Sequence, residues 1–189
     1  MCRALRTPWP EGGRYHARVE RGDASVRAAR VEDVGAIAAI YAEAVTRGGA
    51  TLDSEPAPPG YFAAACDDPG VRLFVARVGP RGAERVVGWG RLQPWSPKQG
   101  YGHAAEVSIF VAEAAWREGH GRGLMARVLE VAAQAQLRHL VARIFATNSA
   151  SLALFEGCGG FERVGVQREI GRQGGRWVDI VILQRLLSA

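Results

Sequence analysis

The residues best placed to do chemistry lie in one stretch, Glu106-Val-Ser-Ile-Phe-Val-Ala-Glu-Ala-Ala-Trp-Arg-Glu-Gly-His-Gly-Arg-Gly-Leu-Met125. An alternating apolar strand runs into a glycine-rich turn, and the turn opens an amphipathic helix. Glycines let a backbone adopt positive φ and approach an anion closely. A helix N-terminus adds unpaired N–H groups and a partial positive charge, so strand, turn and helix together suit a phosphate or diphosphate. The glycine spacing alone fits a plain structural turn equally well. No Gly-Lys-Ser/Thr follows, so this is not a Walker loop, and the third glycine is misplaced for a dinucleotide fingerprint. Glu106 can accept a proton from an attacking nucleophile; spacing alone favours an ordinary solvent-facing carboxylate of the strand. Cys2, Cys66 and Cys158 are far apart, without CxxC or Cys/His spacing, so neither a zinc site nor a disulfide framework is readable. Cys158 has no histidine at a nucleophile's spacing, and no metal is expected.

The elements that must position this stretch can be read from hydrophobic period and punctuation. Val26–Val31 is a short strand. Glu32 and Asp33 open a helix whose apolar face is Val34, Ile37, Ile40 and Val45, ended by Arg47-Gly-Gly. A Pro-rich loop and a short helix over 61–66 follow, then a hairpin of strands 71–78 and 85–93. After the loop 94–102 come strand 104–111, helix 119–137, strand 140–146, a short helix 149–157 capped by Asn148, and a closing hairpin of strands 161–170 and 177–187. The 189 residues suit one domain, 25–189, preceded by a flexible extension, 1–24. The net charge is +5, with a single lysine, Lys98. Basic and acidic residues are interspersed rather than clustered, which argues against nucleic-acid binding. No apolar run reaches the ~20 residues of a membrane span, and the N-terminus has no secretory h-region; a cytoplasmic protein is expected.

Several separated segments, in one order, give this sequence a specific resemblance. Ala50-Thr-Leu-Asp-Ser-Glu-Pro56, Glu106–Val111, Thr147-Asn-Ser-Ala-Ser151, Arg168-Glu-Ile-Gly-Arg172 and Gly175-Arg-Trp-Val-Asp179 resemble the GCN5-related N-acetyltransferases. Within that superfamily they resemble the phosphinothricin and methionine sulfone/sulfoximine acetyltransferases. The match covers about 26–184. The resemblance implies an α/β fold with a mixed, mostly antiparallel seven-stranded sheet flanked by helices and splayed between strands 4 and 5. It implies an enzyme, an acyltransferase using acetyl-CoA as cosubstrate to acetylate the primary amine of a small amino acid or analogue. The alternatives are a protein or peptide acetyltransferase and a non-catalytic CoA-binding module.

By the same resemblance Glu106 is the general base. The backbones of Ile109, Phe110 and Val111 pair with pantetheine. The turn Arg117, Glu118, Gly119, His120, Gly121 and Arg122 holds the diphosphate, Asn148 bonds pantetheine, and Ser151 lies near the phosphates. Gly119 and Gly121 are taken as the motif glycines, since that register places Leu124, Met125, Val128 and Leu129 on the apolar face. Lys98 and Tyr101 fall in the substrate loop, where Ser96 and Gly102 replace family arginines. His103 reads as a loop histidine or as acceptor-pocket lining. Two departures stand out: Trp116 replaces the usual Gln or Arg, which implies weakened CoA binding, and Phe155 replaces the tyrosine that protonates the departing thiolate. A homodimer is the family's usual assembly.

Overall fold

A computed structural model describes residues 25–188; the extension expected over 1–24 lies outside the described residues. Seven strands form one sheet: β1 (Ser25–Ala28), β2 (Arg72–Val78), β3 (Arg85–Pro94), β4 (Ala104–Val111), β5 (His139–Phe145), β6 (Glu162–Gln173) and β7 (Arg176–Leu186). Their spatial order is β1-β2-β3-β4-β5-β7-β6. Only β4 and β5 run parallel; the other neighbours are antiparallel. The helices are α1 (Val34–Arg47), α2 (Pro59–Asp67), α3 (His120–Gln134) and the short α4 (Ser149–Ala153). The fold is the mixed, mostly antiparallel α/β arrangement expected from the resemblance.

Each helix lies where its apolar stripe finds the sheet. Leu124, Met125, Val128, Val131 and Ala132 of α3 are buried against Leu92, Ala105, Val107, Leu140 and Leu183. On the opposite face, Ile37 and Ile40 of α1 and Phe62 of α2 close over Leu73, Val75 and Trp89. Trp89 is buried, stacked on Phe110 at 4.6 Å between ring centroids and met edge-on by Phe62 at 5.7 Å. Helices α1 and α2 therefore cover only β2 to β4. No described helix covers that face over β5, β7 and β6, which leaves it open beside β4. No described helix is long and apolar enough to cross a membrane.

Several boundaries differ from the sequence expectation, each for a local reason. The first strand stops at Ala28 rather than Val31 because Asp33 folds back, its carboxylate accepting from the Arg30 amide at 2.8 Å and the Arg27 guanidinium at 2.6 Å. The helix expected over 149–157 ends at Ala153 and continues as a π-turn, Leu154–Cys158, with Gly159 N–H donating to the Leu154 carbonyl at 3.0 Å. That wider turn takes up extra length around Gly157-Cys-Gly-Gly160. The closing hairpin is longer than expected, with only Gly174-Gly175 at its tip. β6 is an edge strand exposed along most of its length, with Val164, Val166 and Ile170 all more than half exposed. Its register shifts between Gln167 and Gly171, and there the Glu169 amide, at φ 52°, donates to Asp179 at 2.8 Å.

Truncating the aromatic centre should cost the α1–α2 layer its main packing. Trp89→Ala is expected to lower the unfolding free energy by about 3–5 kcal/mol, read from urea denaturation.

Candidate active site

The parallel pair β4–β5 holds for three rungs, Ala104↔His139, Ala105↔Leu140 and Glu106↔Val141, and then stops. Beyond it β4 continues to Val111 paired only with β3, and β5 continues to Phe145 paired only with β7. Ala112 N–H donates to the Val87 carbonyl on the β3 side at 2.9 Å. Alternation along a strand then turns the main-chain groups of Ile109 and Val111 into the gap, while those of Phe110 belong to the β3 ladder. Of the three residues expected to meet pantetheine, Ile109 thus offers its unpaired N–H and carbonyl and Val111 its N–H, while Phe110 stacks its ring on Trp89. Within the gap the Val111 carbonyl already accepts from the Trp116 indole N–H at 2.8 Å.

At the wide end of the gap lies the glycine turn. Arg117 (φ 65°) and Gly119 (φ 90°) both adopt left-handed backbone around Glu118. Helix α3 begins at His120 without a side-chain cap, and Gly123 N–H, bonded to the Gly119 carbonyl at 3.0 Å, closes its first turn. The amides of 117 to 122 meet no backbone carbonyl among the described residues. They converge at the positive end of the α3 dipole, a ready anion site. The two motif glycines serve different ends. Gly119 supplies the left-handed backbone. Gly121 permits close approach, since a Cβ there would stand 3.1 Å from Leu154 Cδ2. Gly123 is under neither demand, its Cβ position lying at ordinary contact, 3.4 Å, from Val26. His120 is buried, its Nε2 3.0 Å from Glu118 Oε2, which ties the turn together, while Arg117 and Arg122 are exposed.

Glu106 stands on the last rung before the strands part. Its side chain is 12% exposed. Oε1 accepts from Arg143 Nε at 2.7 Å; Oε2 accepts from Arg143 Nη2 at 3.2 Å and from Gln93 Nε2 at 3.0 Å. Beside it, on the open face of the sheet, lies a cavity of about 440 Å³ lined by Trp95, Tyr101, His103, Val141, Ile182 and Gln184 among others. Tyr101 and His103 are thus brought to the cavity, whereas the exposed Lys98 is not part of its lining.

The segment after α1 is pinned over the other side. Gln173 accepts from the Gly49 amide and donates to the Thr51 carbonyl, both at 2.8 Å. Asn148 caps α4 through the Ser151 amide at 3.1 Å and donates to the Gly49 carbonyl at 3.1 Å; Ser151 is half-buried beside it. The Tyr41 hydroxyl bonds Thr51 at 2.9 Å and the Asp53 carboxylate. Burial, reinforced by the bond to Asp53, pushes that phenol up to about 12. Phe155 is buried against Phe161, 5.1 Å between centroids, and has no proton to give.

Sequence reasoning missed Arg143, Gln93 and Gln173. Arg143 had a visible signal, a charge inside the apolar run Leu140–Phe145. The other two act only through cross-strand or long-range placement.

Residues 35–160 match the Acetyltransferase (GNAT) family. The phosphinothricin N-acetyltransferase of Alcaligenes faecalis is 33% identical over 87% of this chain and 83% of its own. The L-methionine sulfoximine/L-methionine sulfone acetyltransferase of Pseudomonas aeruginosa is 30% identical over 85% of this chain and 93% of its own. Among solved structures, a GNAT-superfamily phosphinothricin acetyltransferase from Sinorhizobium meliloti in complex with AcCoA superposes with a TM-score of 0.80. It is 28% identical and covers 88% of this chain and 89% of its own.

The turn can be tested without a ligand. Gly119→Ala places a Cβ at φ 90° and is expected to cost about 1 kcal/mol of stability. Gly123→Ala, in helical backbone, should be neutral or stabilising by up to about 1 kcal/mol. Urea denaturation of the two variants should show opposite signs or a clear gap between them.

Proposed function

This chain belongs to the acetyltransferase (GNAT) family and is an acetyl-CoA-dependent acyltransferase, and we propose that its acceptor is the primary amine of a small amino acid or amino-acid analogue. The observation that carries this reading is the position of Glu106. It sits on the last β4–β5 rung, between an open cavity on one side and a gap lined with unpaired main-chain groups on the other.

The chemistry asks three things of the chain. Acetyl-CoA must be held extended, with its diphosphate on the amides of 117 to 122 and its pantetheine along Ile109 and Val111, strand-fashion. Asn148 is half-buried with one amide proton already on Gly49, which leaves its second proton for the same arm. The thioester carbonyl must be polarised, and a β4 amide facing the gap, such as that of Ile109, supplies a fixed donor. Finally, the acceptor nitrogen must lose a proton as its bond to the acetyl carbon forms and the carbon–sulfur bond breaks. Glu106 takes that proton. With Phe155 buried, the thiolate of CoA leaves without an acid from the π-turn after α4, and solvent protonates it.

The cavity favours a small acceptor. Its volume of about 440 Å³ suits a single amino acid or analogue better than an extended peptide. The two relatives named for those compounds support the same class. The exposed apolar residues of the β6–β7 hairpin, Val164, Val166, Ile170 and Trp177, support a homodimer.

Thiol release from acetyl-CoA, screened against free amino acids, methionine sulfone, methionine sulfoximine, phosphinothricin and short peptides, is expected to single out one or more of the free compounds. Preference for peptides would replace the small-molecule reading, and CoA binding without thiol release would mark a non-catalytic module. With the best amine at saturation, Glu106→Gln should lower kcat by ~10²–10⁴ while leaving acetyl-CoA affinity unchanged; undiminished turnover would remove Glu106 from the role.

A further inference from the structure

The ion pair at Glu106 poses a problem for a base. Arg143 approaches the carboxylate side-on, with Nε 2.7 Å from Oε1 and Nη2 3.2 Å from Oε2, and Gln93 adds a third donor to Oε2. Both oxygens are engaged before any amine arrives. Arg143 lies on β5 two residues past the last rung, on the same sheet face as Val141 and Glu106. It is unlike Glu106 in one respect: its side chain is 53% exposed, against 12%. Its Nη1 donates no bond among the described residues. Its guanidinium carbon lies 5.9 Å from the centroid of Trp95, a wall of the acceptor cavity, and its strand partner Ile182 is another.

A guanidinium fork matches any carboxylate, and the strongest partner is the one that engages both its arms. Two other arginines stand near the cavity, and neither touches Glu106. Arg91 Nη1 donates to Tyr61 at 2.9 Å and Arg138 Nη1 to the Leu187 carbonyl. His103 and His139 line the far end of the cavity, beside Arg138. Gln93 and Gln184 are neutral.

Resting on the acetyltransfer reading above, we propose that Arg143 is the substrate-specificity residue: it receives the α-carboxylate of an amino-acid acceptor. In doing so it swings from Glu106 to the substrate and frees an oxygen of Glu106 to accept the proton of the adjacent amine. The acceptor thereby unmasks the base that acts on it. An amine without a neighbouring carboxylate leaves the Glu106–Arg143 pair closed and is discriminated against twice, in binding and in proton transfer.

The test pairs two acceptors that differ only in the carboxylate, methionine sulfone and 3-(methylsulfonyl)propylamine, assayed by thiol release with saturating acetyl-CoA. The wild type is expected to favour methionine sulfone in kcat/KM. Arg143→Gln should raise KM for methionine sulfone about 10- to 100-fold and leave the carboxylate-free amine equally well or better used, collapsing the preference. Arg143→Lys should restore part of it. Equal loss on both acceptors would make Arg143 a mere support for Glu106, and an unchanged KM for methionine sulfone would place the carboxylate elsewhere; either overturns the proposal. Calorimetric titration of methionine sulfone into the CoA-loaded protein separates the two levels. Arg143-dependent binding without turnover would sink the acetyltransfer reading while supporting the carboxylate site. Turnover with Arg143-independent binding would do the reverse.

Discussion

The site depends on the early end of one strand pair. A buried or half-buried main chain must find hydrogen-bond partners, and β4 meets that demand on its β3 edge along its whole length. On its β5 edge it does so for only three rungs. The unpaired length past Glu106 is a strand edge inside the molecule rather than at its rim. It can be completed by a ligand that itself behaves like a strand, with alternating amide donors and acceptors. The turn at 117–122 extends the same logic, since its left-handed residues and uncapped helix start leave a cluster of donors facing one point. Covering β2 to β4 with helices on both faces braces this opening, and leaving β5, β7 and β6 bare on one face keeps a way in for the proposed acceptor.

Two substitutions that look costly in the sequence have distinct structural outcomes. Trp116 stands where a side chain carrying Gln- or Arg-type donors is common in the superfamily. Here its indole N–H closes back on the Val111 carbonyl at the gap, and the guanidinium of Arg47 lies 4.4 Å from its ring centroid, itself held by Glu43 and Glu113 at 3.3 and 3.8 Å. The turn is thereby braced against the end of α1. Phe155, by contrast, is packed in the core against Phe161, so on the proposed reading acid assistance to the departing thiolate is exchanged for packing. A thiolate is a sufficiently good leaving group for that exchange to be workable.

Much of this was legible in the residues. The run from Glu106 through Met125 announced strand, turn and helix, and the periodicity of Leu124, Met125 and Val128 chose between two glycine registers. The structure gives that choice a reason, because Gly119 needs its backbone freedom and Gly121 its lack of a side chain, whereas Gly123 needs neither. What escaped were pairings between residues far apart in the chain. Gln93 and Arg143 meet Glu106 only through cross-strand register, and Gln173 reaches Gly49 and Thr51 over more than a hundred residues. No local pattern reports register of that kind. The alternation in 161–170 was visible, but an edge strand exposed on both faces looks the same in sequence as one with a buried face.

The central claim is that main-chain amides from Ile109 through Arg122 grip acetyl-CoA and leave its thioester beside Glu106. Hydrogen exchange resolved to single amides, with and without acetyl-CoA, tests it most directly. Slowed exchange should concentrate at Ile109, Val111 and the turn 117–122 and spare the β6–β7 hairpin tip. Protection centred elsewhere, or none at saturating acetyl-CoA, would contradict the account.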